Sequence, residues 1–224
     1  MIRGFFLPAH DWKIEDTWYV AGLKGTGSHH IAIRGTLVPA ANFFDLANGR
    51  SCLPGPLYQA VLQLLPVIHG ASSLGIAEGA LDELAELANT GSKHLQAAVP
   101  MRDSEVFQAE LGRIEAELRA ARAFLQVQAA SHWRQALAGT LKDEALLTQG
   151  TQTAIWLAAT CVRAADACFA LAGSSALYES SPLQRRLRDL HVAAQHGAAQ
   201  QRHYVKAGKL LLGCSVAHSE IVGG

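Results

Sequence analysis

The chain has 224 residues, 50% apolar and 17% charged, which excludes a disordered chain and is ample for a hydrophobic core. Its 19 Lys and Arg balance 19 Asp and Glu, so it offers no basic field to nucleic acid or an anionic membrane. Of its 39 alanines, 33 lie beyond residue 55, a bias that favours helix over the last three quarters of the chain.

The first 45 residues read as extended structure. Runs rich in β-branched and aromatic residues at 2–7, 12–20 and 30–38 are punctuated by Pro8, Gly22, Gly25, Gly27 and Pro39. Three strands alone make a marginal sheet, so the rest of a larger β-domain is expected upstream. Residues 1–50 are therefore read as the remnant of that domain. Gly25-Thr26-Gly27-Ser28 leads into a strand and lacks the GK[ST] ending of a phosphate loop, which fits a tight turn. His29 and His30 are adjacent, so on a strand they face opposite sides and cannot share a metal.

After Pro56 the apolar period becomes about 3.6. Four long helices are expected over 57–90, 103–138, 143–172 and 182–212, making residues 51–224 an up-down, antiparallel four-helix bundle. The expected fold is thus mainly α, preceded by three β-strands of an incomplete barrel. In the second helix Phe107, Leu111, Ile114, Leu118, Ala121 and Leu125 form one stripe, with Glu115 and Arg119 paired on the outside. Asp103 or Ser104 suits its N-cap, and Gly139 and Gly173 suit the ends of the second and third helices. Residues 51–77 and 145–162 carry no charge. Prolines, glutamines, threonines and His69 interrupt them, and a spanning helix wants about 20 predominantly apolar residues. They read as helices inside a soluble bundle. Cys52, Cys161, Cys168 and Cys214 form no CxxC pair and no zinc spacing, and read as buried free thiols in a reducing cytoplasm. Trp18, Trp133 and Trp156 read as core residues.

The fourth helix is irregular. Its stripe of Leu183, Leu187 and Leu190 gives way to Gln195-His196-Gly197-Ala198-Ala199-Gln200-Gln201, where small and polar residues replace bulky ones. Such a gap admits either a close neighbouring backbone or a ligand. His191 and His196 lie about 140° apart on a regular helix and converge only if it breaks near Gly197. No third ligand stands at a metal-binding spacing; imidazole there suits proton transfer, cofactor binding or a structural hydrogen bond. Arg185, Arg186 and Arg188 crowd a helix start that favours acids, which fits either an anionic partner or ion pairs with Asp189 and Glu179.

Two segments add a resemblance. Trp18-Tyr-Val-Ala-Gly22-Leu-Lys-Gly25-Thr-Gly27-Ser28-His29 resembles a conserved stretch of the acyl-CoA dehydrogenase superfamily, in its branch of two-component flavin-dependent monooxygenases. Ala172-Gly173-Ser174-Ser175-Ala176-Leu177-Tyr178 with Pro182-Leu-Gln-Arg185-Arg186-Leu-Arg188-Asp189-Leu-His191 resembles the C-terminal signature of that branch. The likeness covers essentially the whole chain but only the C-terminal half of such a protein. It implies a flavin cleft between the β-domain and the bundle, and homotetramers built through the bundles.

In acyl-CoA dehydrogenases a glutamate removes the α-proton of the thioester. Its usual place falls here on His196-Gly197, and no acidic residue occurs between Asp189 and Glu220. Its other place falls on the apolar run 62–65. Without a carboxylate base, α,β-dehydrogenation lacks chemical support. The monooxygenase branch instead uses reduced flavin, FMN or FAD, supplied by a separate reductase, to hydroxylate a small aromatic or heteroatom-containing molecule. The resemblance implies His196 and His191 as catalytic candidates, and Ser174, Ser175 and Arg185 as flavin contacts, the serines on a neighbouring subunit's flavin. The Arg-x-x-Phe-Gly motif that holds the FAD diphosphate in dehydrogenases is not recognisable before Gln108. An acyl-CoA dehydrogenase-like oxidoreductase, or an inactive fragment or helical assembly module, are the alternative readings.

Overall fold

The computed structural model of the chain describes residues 4–45, 51–59 and 61–214. The fold is mainly helical with a few short strands. The strands are Gly4–Phe5 (β1), Lys13–Glu15 (β2), His30–Ala32 (β3) and Phe43–Phe44 (β4). They are shorter than the three expected runs, and a fourth, β4, was not anticipated; Ile2 and Arg3 of the first run lie outside the described residues. β1 pairs antiparallel with β4, placing Gly4 opposite Phe44. β2 pairs antiparallel with β3, placing Ile14 opposite Ile31. Side chains tie the long connection between β2 and β3. His29 Nδ1 accepts the backbone N–H groups of Thr17 and Trp18, at 3.1 and 3.2 Å, and the Trp18 indole donates to the Leu23 carbonyl. His29 is therefore a structural acceptor.

The helices are Val61–Asn89 (α1), Glu105–Ala138 (α2), Glu144–Ala172 (α3), Pro182–Ala193 (α4) and Tyr204–Leu211 (α5). Ser104 caps α2 by accepting the Phe107 N–H, and Asp143 caps α3 by accepting the Leu146 N–H. In the α2 stripe Phe107, Ile114, Leu118 and Ala121 are buried, while Leu111 and Leu125 pack against their edge. Glu115 and Arg119 meet at 3.6 Å outside. Helices α1 to α4 surround one core of Leu74, Leu84, Ile114, Leu157, Cys168 and Leu190, among others. By length and composition α1 and α3 could each cross a membrane, and both contribute residues to this shared core.

Three expectations need correction. The fourth helix is not continuous over 182–212: α4 ends at Ala193, and two 3-10 turns, Gly197–Ala199 and Gln201–His203, precede α5. Gly197 and the polar residues beside it supply too little apolar surface to hold a helix against the core. Only two cysteines are buried. Cys161 and Cys168 lie in the core, where burial pushes both thiols up to about 12, whereas Cys52 and Cys214 are exposed. The tryptophans are not core residues. Trp18 is half-buried, Trp133 is 47% exposed, and Trp156 is 37% exposed with its ring edge against Phe124.

Candidate functional site

The break after α4 is built from the backbone outward. Beyond Ala193 the chain turns extended at His196 (φ −59°, ψ 141°). The Ala198 N–H donates to His196 Nδ1 at 3.2 Å, so the neutral ring carries its proton on Nε2. His203 Nε2–H donates to the Gly197 carbonyl at 2.9 Å and holds the turn from its far side. His196 itself is exposed.

His69 of α1 completes this corner. Its ring stacks on His196 with centroids 5.0 Å apart and planes inclined by 26°. The backbone of Ala193, the last residue of α4, lies beside the ring. His69 Nε2 is buried with no hydrogen-bond partner among the described residues. Burial, and then the charge of His196, lower the His69 pKa from 6.5 against the opposing effect of the Ala193 backbone. Gly70 brings α1 close to α3 beside it: a Cβ there would stand 2.7 Å from Leu157 Cδ1.

The helix break does not bring His191 to His196. His191 Nε2 instead meets Asp166 Oδ1 of α3 at 2.7 Å, half exposed. The arginine cluster divides. Arg186 forms two hydrogen bonds to Glu83 Oε1, at 3.0 and 2.8 Å, a partner on α1 that neither expected ion pair named. Arg188 Nε donates to the Gln184 carbonyl. Arg185 is exposed and lines a shallow hollow with Glu179, Ser181 and Arg188. Ser175 lines an adjoining hollow with Glu83, Tyr178 and Ser181, and Ser174 is exposed on the same turn.

Three candidates, Ser174, Ser175 and Arg185, thus gather at the start of α4, while His196 lies past its end. Helix α4, 12 residues and about 18 Å long, runs between the serines' turn and His196, with Arg185 in its first turns. His69 escaped the sequence reading because it stood in an uncharged apolar run. The one available signal was its place in α1, a little past the run where some dehydrogenases keep their base.

The glycine-rich turn and the fourth helix are joined. The Leu23 N–H donates to Asp189 Oδ1 at 2.6 Å, and a Cβ on Gly22 would stand 2.3 Å from the Arg188 carbonyl oxygen. Both segments that carry the resemblance therefore form one contact.

The chain is similar to known proteins. The chain is 32% identical over 211 residues to an indole-3-acetate monooxygenase of Pseudomonas putida, covering 92% of this chain and 53% of that protein. It is 32% identical over 227 residues to the flavin-dependent monooxygenase oxygenase subunit HsaA of Mycobacterium tuberculosis, covering 91% and 54%. XiaF from Streptomyces, solved with FADH2 and glycerol, superposes with a TM-score of 0.86 at 26% identity, covering 95% of this chain and 56% of XiaF. The chain spans about half the length of the curated relatives it matches. The family described as acyl-CoA dehydrogenase, C-terminal domain, matches residues 67–201. On that match the chain belongs to the acyl-CoA dehydrogenase C-terminal domain family.

Proposed function

We propose that the chain is the C-terminal part of the oxygenase component of a flavin-dependent monooxygenase, acting on a small aromatic or heteroatom-containing substrate. The observation that carries this reading is His196. By the resemblance it falls where a dehydrogenase keeps a carboxylate; its exposed ring accepts the Ala198 N–H at Nδ1, which leaves Nε2–H as a donor, and no acidic residue follows it until Glu220.

The residues present fit a flavin. Ser174, Ser175 and Arg185 are exposed donors suited to phosphate oxygens, and their side chains have no hydrogen-bond partner among the described residues. The length of α4 between the serines and His196, about 18 Å, supports a division of labour, with the serines serving the flavin of a neighbouring subunit. A reduced flavin, FMN or FAD, would supply the electrons that activate dioxygen. His196 would donate its Nε2 proton toward the reacting centre, with Nδ1 held by Ala198. His191, tied to Asp166, is the weaker catalytic candidate.

In this reading residues 1–50 belong to a β-barrel domain and 51–224 to an antiparallel four-helix bundle. A separate reductase delivers the flavin. The bundle assembles as a homo-oligomer, a tetramer, which is supported by the exposed apolar surface of α2 and α3 at Phe124, Val127 and Trp156. The discriminating experiment adds a fatty acyl-CoA to the chain carrying oxidised flavin. The flavin stays oxidised if the proposal holds; its bleaching would assign the chain to the dehydrogenases.

A further inference from the structure

The stacked pair at the break holds an asymmetry that the reaction alone does not require. His196 is exposed, with both ring nitrogens accounted for: Nδ1 accepts from Ala198 and Nε2–H faces outward. His69 is stacked on it, with a buried Nε2 that has no partner among the described residues. Protonating Nε2 of His69 would bury a donor with no acceptor.

We propose that His69 is the positioning residue of this corner: its buried ring, stacked on His196, holds that ring with Nδ1 on the Ala198 N–H and Nε2–H free to donate. This role rests on the reading that His196 faces the flavin, although the pairing is testable without it.

The His196 ring and the Ala193 backbone lie beside His69, and α3 presents Leu157 and Ala154 to the neighbouring Gly70. Of the charged groups on these helices, Glu78 pairs with Arg122, Glu83 with Arg186, and Asp166 with His191. His203, the other ring at the break, is bound to the Gly197 carbonyl. The charge that acts on His69 is that of His196, and it opposes a proton on His69.

The test is histidine NMR on the 224-residue chain, with ring signals assigned through His69→Gln and His196→Gln. In the unmodified chain His69 titrates below 6.5, and His196 shows the Nε2–H tautomer. In His196→Gln the His69 midpoint rises but stays below 6.5, because burial remains. In His69→Gln the His196 tautomer becomes mixed and Ala198 amide exchange rises about tenfold, as expected for a bond weakened by about 1.4 kcal/mol. An unmoved His69 midpoint, or an unchanged His196 tautomer in a folded His69→Gln chain, overturns the proposal. None of these readouts needs flavin. An uncoupled pair in a chain that binds reduced flavin overturns the role of His69 alone; a coupled pair in a chain that binds none upholds the pairing and overturns the flavin reading.

Discussion

The Leu23 N–H donates to the Asp189 carboxylate across the junction between the strand region and the helices, at 2.6 Å. Gly22 makes the approach feasible, since any side chain there would collide with the Arg188 carbonyl. A charge-assisted bond of this kind contributes about 1.5–3 kcal/mol. Asp189→Ala and Gly22→Ala should each loosen the turn from α4. Hydrogen exchange over residues 13–32 reports this as faster exchange, with the helical core unchanged. Slowed or unaltered exchange in both variants would mean that the junction does not hold the turn.

Arg186 lies against Gly79 and grips one oxygen of Glu83, whose other oxygen is buried without a partner. Removing the guanidinium leaves a largely buried carboxylate uncompensated. Arg186→Ala should lower unfolding free energy by about 1–3 kcal/mol in a denaturant titration. Arg186→Lys should restore only part of it, because an ammonium lacks the fork that bonds through Nε and Nη together.

The lowered pKa of His69 gives stability a pH dependence. The unfolded chain binds this proton more readily than the folded one, so the contribution is full above 6.5 and is lost as pH falls through the folded value. Denaturation midpoints should therefore drop on acidification below 6.5 in the unmodified chain and drop less in His69→Gln. Equal losses in the two chains would show that His69 does not carry the effect.

Thiol chemistry should sort the cysteines. Cys52 and Cys214 are exposed and should react with an aromatic disulfide at once. Cys161 and Cys168, buried and held near 12, should react only after unfolding. Four fast thiols in the folded chain would contradict the core.

Much of the fold was legible because local chemistry announces it. Ser104 and Gly139 bracket α2 as caps, and the stripe from Phe107 to Leu125 identifies its buried face. The strands were harder to read, since β1 pairs with β4 across the intervening β2 and β3, and local composition carries no such pairing. Trp133 and Trp156 misled because apolar neighbours in sequence do not decide which helix face meets the core. At the site, the polar run around His196 signalled the break. His69 could not be paired with it, because their stacking depends on how closely α1 approaches the end of α4.

The central claim is that this chain contributes to a reduced-flavin site, and an anaerobic titration with reduced FMN and reduced FAD tests it most directly. Saturable binding at tens of micromolar by at least one flavin, weakened about tenfold or more when Ser174, Ser175 and Arg185 are replaced together by alanine, is the predicted result. Absence of binding by both flavins at that concentration would contradict it.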